Sequence, residues 1–436
     1  MSAPRHFPKI AAHGGEAPEW LVEHTARNRH VLGPAPSVLA EWEASGLALP
    51  DLSRMRRYRL GRIREQLVAR DIDAVLLHDP LNVKYATDTT NMPVWTMHNE
   101  VRYCFVAADG PVIVFEFSHG EFLSAHSDVV DEIRPGTSFL PFYAGSRSEE
   151  IAARFAAEIA ELVRTHQRAG GRLAIDTLGL EGIRALEALG IEVVPGMQAM
   201  EDARTVKSPD EILAVRCAVD ACERNIDDMR AIFDPGVTEV ELWAELQKSN
   251  YLRYGEWIET RILASGDRTN PWYQEASIKP VASDELMAFD TDMVGAYGMC
   301  VDMSRTWLCG DGKPNANQAD VHARACDMIA ANIPLFTAGT TYREVTDRLT
   351  YPPVDEFNGY TVLAHGTGLC DEFPSFFTRE QWDICGFDGV IEAGMVLSVE
   401  SFVGAKSGGE GVKLEEMIVV TDEGPELLTS YSLDLR

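Results

Sequence analysis

Five segments in the second half of this 436-residue chain each place an acidic or imidazole side chain in or beside apolar sequence. They are Asp290-Thr-Asp292, Asp302-Met-Ser-Arg-Thr306, His365-Gly-Thr-Gly368, Val399-Glu400 and Lys413-Leu-Glu415. A fold that unites them gathers one neutral imidazole and several carboxylates, which is a hard, oxygen-rich ligand set. Such a set suits two divalent metals that share a water or a substrate oxygen. It is not a thiolate zinc site, and it is too dispersed for an EF-hand loop.

Local patterning says how each group is presented. Residues 286–292 read as a strand, so Asp290 and Asp292 point the same way. Gly295 and Gly298 permit a turn, and Asp302 returns on the partner strand. Carboxylates on both strands of a β-hairpin make a rigid metal platform. His365 follows the apolar run 361–364, and the glycines after it allow close backbone approach around a ligand. His322, on a predicted helix over 320–335, reads as a hydrogen-bonded core residue. Glu400 ends the apolar strand 395–399, where an acid has little other reason to be. Alternation over 412–420 puts Lys413, Glu415 and Met417 on one face and Glu416 on the other. Glu415 is therefore the ligand candidate, with Glu416 solvated or salt-bridged. Buried glutamates without a cation are costly, so burial would itself argue for metal.

The first half alternates between helix and strand. Residues 54–70 read as an amphipathic helix and 73–78 as a buried strand. Strands follow at 102–107 and 112–117, then a helix over 149–166, a strand at 172–176, a helix over 180–189 and a strand at 192–195. This alternation predicts an α/β domain. Residues 200–209 read as the connection. In Ser208-Pro209-Asp210-Glu211, serine caps, proline fits the first helical position and Glu211 completes a capping box. The helix 210–232 stops at Asp234-Pro235-Gly236. The expected organisation is an extension over 1–50 that wraps the first domain, an α/β domain over 51–205 and a metal-binding domain over 206–436.

With 45% hydrophobic residues the chain can pack two cores. A formal net charge of −29 argues against nucleic acid or anionic membrane surfaces as partners. No apolar run reaches the ~18 residues of a membrane span. The N-terminus lacks a stretch of signal-peptide length. The eight cysteines form no C-x-x-C pair and read as reduced core thiols, which places the protein in the cytoplasm.

The order Asp…Asp-x-x-Arg-Thr…His-Gly-x-Gly…Glu…Glu resembles the creatinase, prolidase and methionine-aminopeptidase superfamily. The resemblance covers about residues 50–436. It includes Arg204-Thr-Val-Lys207-Ser-Pro-Asp-Glu211-Ile, Gly394-Met395 before Glu400, and Gly411-Val-Lys-Leu-Glu415. It implies an α/β (α+β) fold, with a creatinase-like N-terminal domain followed by a pita-bread domain. In that domain a metal pair sits on a pseudo-symmetric curved sheet.

Two departures set the chain apart from the peptidases. Where they usually carry an aspartate, this chain has Thr291, flanked by Asp290 and Asp292. Where they carry a second histidine after His-Gly-x-Gly, it has Asp371, in a stretch one residue shorter. A carboxylate base has thus replaced an electrophilic donor. These departures are similar to the dimethylsulfoniopropionate lyases of the superfamily, the DddP type. So are Glu256-Trp-Ile-Glu-Thr-Arg261, Ala264-Ser-Gly266, Arg268-Thr-Asn-Pro-Trp272 and His365-Gly-Thr-Gly-Leu-Cys-Asp-Glu372. Thr90-Asn-Met92 with Trp95 and His98-Asn99 match as well.

The resemblance implies a homodimeric, metal-dependent lyase that splits a small zwitterion into dimethyl sulfide and acrylate. It implies one or two divalent ions per subunit, iron above all, with zinc or manganese acceptable to the same donors. The expected ligands are Asp290, Asp292, Asp302, His365, Glu400 and Glu415. Asp371 is the expected base. Tyr360 would orient the substrate carboxylate or assist deprotonation. Trp95, then Trp272, Tyr273 and Phe373, would face the sulfonium, because aromatic faces attract cations. The alternatives are an Xaa-Pro aminopeptidase or dipeptidase, a lyase or hydrolase acting on another small zwitterion, and a pita-bread binding protein without turnover.

Overall fold

Side-chain caps fix where several of the longer helices begin. Asp51 accepts from the Arg54 N–H and starts the helix Leu52–Ala69. Ser208 and Glu211 form the predicted capping box at Pro209–Ala231, and Thr238 with Glu241 repeats it at Glu239–Leu252. A computed structural model describes residues 9–12, 15–16, 33–118, 120–168 and 170–436.

The chain divides into two compact units. The first holds residues 51–204 and the strands at its N-terminal side; the second holds 34–50 and 205–436. The predicted extension is therefore split. Lys9–Ala12 joins the first sheet, parallel to Glu132–Pro135. The helix Pro36–Ala44 instead belongs to the second unit, where Trp42 is fully buried and stacks on Tyr297 at 5.6 Å. Residues 1–8, 13–14 and 17–32 lie outside the described residues. The expected connection at 200–209 is also partly helical, because Met197–Arg204 forms a helix before the chain crosses over.

In the first unit an eight-stranded mixed sheet centres on Tyr103–Ala107, Ala74–Leu77 and Arg172–Ile175. These strands are buried on both faces, which accounts for their unbroken apolar runs. The helix Ser148–His166 lays Phe155, Ala156 and Ile159 onto Phe105 and Phe115.

The second unit carries the metal candidates on neighbouring antiparallel sheets. Leu286–Asp290 pairs with Leu263–Ser265 and with Ser304–Leu308. The largest sheet of this unit runs Asp371–Phe377, Val362–Thr367, Val396–Ala405, Gly411–Thr421 and Gly424–Leu427, with Phe357–Asn358 off its side. The helix Ala316–Asn332 covers this sheet through Val321, Ala325, Met328 and Ile329. His322 is half-buried at its rim and donates its Nε2–H to the Leu433 carbonyl oxygen at 2.8 Å, a hydrogen-bonded structural role as expected.

Candidate metal centre

The long hairpin Val396–Ala405 and Gly411–Thr421 sets Glu400 directly opposite Glu415. Like charges facing each other across a ladder are destabilising. Both are nonetheless buried, at 2% and 0% exposure. Glu400 lies in mid-strand rather than at a strand end, so the hairpin's whole length fixes its aim. His365, on the adjacent strand, pairs with Ser398 and reaches the same spot. Its Nε2 lies 3.1 Å from Asp302 Oδ2, 3.3 Å from Glu400 Oε1 and 3.8 Å from Glu415 Oε1. Its Nδ1 lies 2.9 Å from the Gly366 carbonyl. That contact favours the tautomer whose Nε2 lone pair faces the carboxylates.

The aspartates arrive from the other sheet, though not by strand alternation. The strand ends at Asp290, and Asp292 adopts a left-handed backbone with φ 34°. A turn, not a period of two, swings Asp292 beside Asp290. The hairpin itself is present, with Met293 paired to Val301. Asp290, Asp292 and Asp302 offer oxygens within 4.8 Å of one another, as do the donor atoms of Asp302, His365 and Glu415. All six predicted ligands thus converge, with Asp302 common to both triads.

Several neighbours were not singled out from sequence. Ser304 Oγ lies 2.7 Å from Asp290 Oδ1 and 2.9 Å from Glu415 Oε2. Thr260 donates to Asp292 Oδ2 at 2.6 Å. Lys413, fully buried, sets its ammonium 3.1 Å from Asp290, 3.0 Å from Glu400 and 2.8 Å from Glu415. Its signal was a cation on the core-facing side of an apolar strand. Glu416 on the opposite face is buried too, 2.9 Å from Arg305, so of its two expected fates the salt bridge is realised.

Electrostatics show a group of charges that needs more cations. Burial, then mutual repulsion, pushes Asp302 well above the carboxylate range. Asp292 and Glu415 are pushed the same way, burial again being the main cause. Asp290 goes down, because Lys413 and Ser304 outweigh its burial. Burial alone would strip the Lys413 proton, but Asp290, Glu400 and Glu415 hold its pKa well above the lysine range. Two buried oxygens, Asp302 Oδ1 and Glu415 Oε1, have no hydrogen-bond partner. Orphaned oxygens in a crowded carboxylate site fit divalent ions, which exchange for protons on such ligands.

Asp371 opens the strand Asp371–Phe377 rather than sitting in a loop. Its carboxylate is 3.9 Å from His365 Nδ1, and its side chain is 52% exposed. Partial desolvation, reinforced by Asp290 and Glu400 and opposed by His365, raises its pKa. The glycines before it are required by space. A Cβ on Gly366 would meet the Phe373 carbonyl oxygen at 2.4 Å, and one on Gly368 would strike the Glu372 carboxylate at 2.2 Å. Glu372 is buried there, paired with Lys207 at 2.9 Å and accepting from the Leu369 N–H.

A cavity of about 500 Å³ is lined in part by Trp272, Tyr273, Tyr351, Tyr360 and Phe402, and by none of the six predicted ligands. Tyr273 and Tyr360 rings are 5.5 Å apart, and Trp272 stacks on Phe402 at 5.8 Å. The Lys413 ammonium is 5.5 Å from the Tyr360 ring, which ties this aromatic wall to the ligands. Burial and Glu400 push the Tyr360 pKa far up, which keeps its hydroxyl protonated. Phe373 instead packs on Phe387 at 5.0 Å, against the main core. Trp95 belongs to the first unit, 5.5 Å from Phe117.

Residues 214–422 match metallopeptidase family M24, and residues 59–206 match the Creatinase/Prolidase N-terminal domain. The dimethylsulfoniopropionate lyase DddP of Roseovarius nubinhibens is 42% identical over 93% of this chain and 93% of its own length. That of Roseobacter denitrificans is 40% identical over 93% and 92%. The chain belongs to the dimethylsulfoniopropionate lyase DddP family. Its fold is the pita-bread fold of the wider superfamily. The Xaa-Pro dipeptidase from Bacillus anthracis superposes with a TM-score of 0.69 at 22% identity, over 87% of this chain and 99% of its own. The prolidase from Pyrococcus horikoshii gives 0.69 at 19%, over 87% and 99%. At such identities the peptidases share the scaffold alone. The expected fold, creatinase-like domain first and pita-bread domain second, is confirmed.

Proposed function

We propose that this protein is a metal-dependent carbon–sulfur lyase that cleaves dimethylsulfoniopropionate to dimethyl sulfide and acrylate. The observation that carries the reading is the convergence of Asp290, Asp292, Asp302, His365, Glu400 and Glu415 beside Asp371, in a chain 42% identical to a DddP lyase. A carboxylate where a peptidase has a histidine favours proton abstraction over hydrolysis.

The six ligands would hold one or two divalent ions, which when bound supply a Lewis acid to the substrate carboxylate. Iron is our choice, with zinc and manganese suited to the same donors. Tyr360 donates a hydrogen bond that fixes the carboxylate end. Asp371 takes a proton from the carbon next to that carboxylate. The C–H electrons form the C=C bond of acrylate as the C–S bond breaks. The sulfur keeps that electron pair and leaves as neutral dimethyl sulfide, with the proton on Asp371. Trp272 and Tyr273 line the cavity and offer aromatic faces to the sulfonium.

Trp95 is a further aromatic candidate. Around it Met92, Val94, Met97 and Phe142 are exposed, which supports a homodimer. Eight free cysteines suit a reducing cytoplasm, and among the described residues no helix is long and apolar enough to cross a membrane. Equimolar release of the two products, lost on metal removal, tests the reading.

A further inference from the structure

Lys413 stands in an unusual place for a lysine. Its side chain is fully buried, and its ammonium touches three carboxylates and the Ser304 hydroxyl, the last at 2.8 Å. The oxygens it takes are specific. On Glu400 and Glu415 it holds Oε2, while the Oε1 atoms of both face His365 Nε2. The atom so exposed on Glu415 is one of the two orphaned oxygens. Lys413 thus grips the outer side of the carboxylates and leaves the inner side open.

We propose that Lys413 is a fixed counter-cation of the metal centre, which limits how tightly the carboxylates hold divalent ions and keeps those ions strongly electrophilic. The inference rests on the metal-site reading but not on the identity of the substrate. When ionised, Asp290, Asp292, Asp302, Glu400 and Glu415 bring five negative charges. One ammonium and two divalent ions balance them. A carboxylate already shared with an ammonium donates less charge to a metal on its other oxygen. Across those shared carboxylates the ammonium would also repel a bound divalent ion directly in a low-dielectric setting. Lys413 acts through the ligands, so it is a positioning residue rather than a catalytic one.

The charge effect and a purely structural role predict opposite signs. If Lys413 only orders its neighbours, a neutral replacement loosens the site and weakens metal binding. If its charge is what matters, the same replacement tightens metal binding while turnover falls. The test is a competition titration with a chromophoric chelator, using ferrous or manganous ion on full-length protein, with kcat measured in parallel. We expect Lys413→Met to bind the metal at least ten-fold more tightly than wild type and to turn over at least ten-fold more slowly. Lys413→Arg, which keeps the charge, should restore both values toward wild type. Metal that binds more weakly to Lys413→Met overturns the proposal, as does an arginine variant that behaves like the methionine one. Lys413→Gln carries the same comparison if the methionine variant does not fold. The proposal also requires that added metal rescue the folding of neutral variants, so failure of both to fold in its presence counts against it. Absence of metal binding to wild type would instead sink the metal site, and metal binding without lyase activity would sink the proposed substrate.

Discussion

At the scale of single residues, the proposed chemistry is divided between two side chains. Asp371 is half exposed and its pKa is raised, as a base that must meet substrate and accept a proton requires. Asp371→Asn is expected to cut kcat by roughly 10²-fold or more, with metal content by elemental analysis unchanged. A variant that keeps full activity would remove Asp371 from the role. Tyr360 has its pKa driven upward by burial and by Glu400, so its hydroxyl keeps its proton and can donate it in a hydrogen bond. Tyr360→Phe removes one hydrogen bond to a charged group, which costs about 10-fold in kcat/KM. Steady-state kinetics on the purified variant decide it, and an unchanged value would mean the tyrosine merely lines the cavity.

At the scale of elements, the proposed ligands are delivered by hairpins whose outer faces are locked by a second set of charges. Arg305, 1% exposed at its side chain, pairs with Glu416 behind the sheet that presents Glu415. Arg305→Met leaves that glutamate buried without its cation and should cost about 3–5 kcal/mol, read by urea unfolding. A change below 1 kcal/mol would show that Thr429, which also bonds Glu416, suffices alone. Much of this was legible in the sequence. The capping box at Ser208 and Glu211, the helix after it and the strand around Glu415 follow from local chemistry and period-two burial. What local pattern could not supply was long-range geometry. Asp292 reaches its place beside Asp290 through a left-handed backbone conformation, which strand alternation did not foresee. Ser304 and Thr260 became visible only when distant strands were paired, because the carboxylates they bond lie far from them in sequence; for Lys413 the sequence showed the face it shares with Glu415 but not its contacts with Asp290 and Glu400. The N-terminal segment 34–50 gave no sign that Trp42 would bury itself in the second unit.

At the scale of the whole molecule, acidity and burial set the conditions of stability. In the first unit His78 is buried against Tyr103, 5.0 Å away, and burial lowers its pKa to about 3. The folded protein therefore binds fewer protons here than the unfolded chain, whose histidine titrates near 6.5. Stability from this residue rises with pH between about 3 and 6.5 and is lost as pH falls through that window. Replacing the imidazole by a ring that cannot ionise removes this dependence. His78→Phe should thus compare better with wild type at pH 5 than at pH 7.5 in paired thermal melts, and a difference that is the same at both would contradict the account. The second unit obeys a different rule. Its buried carboxylates exceed its internal cations, so divalent ions are expected to stabilise the fold as well as to enable the chemistry.

The most direct test of the central claim is headspace dimethyl sulfide, with acrylate followed in parallel, from purified protein given dimethylsulfoniopropionate with and without a chelator. The account predicts equimolar products that vanish on chelation and return when ferrous ion is restored. Metal-replete protein that releases neither product, or product release untouched by removal of the metal, would contradict it.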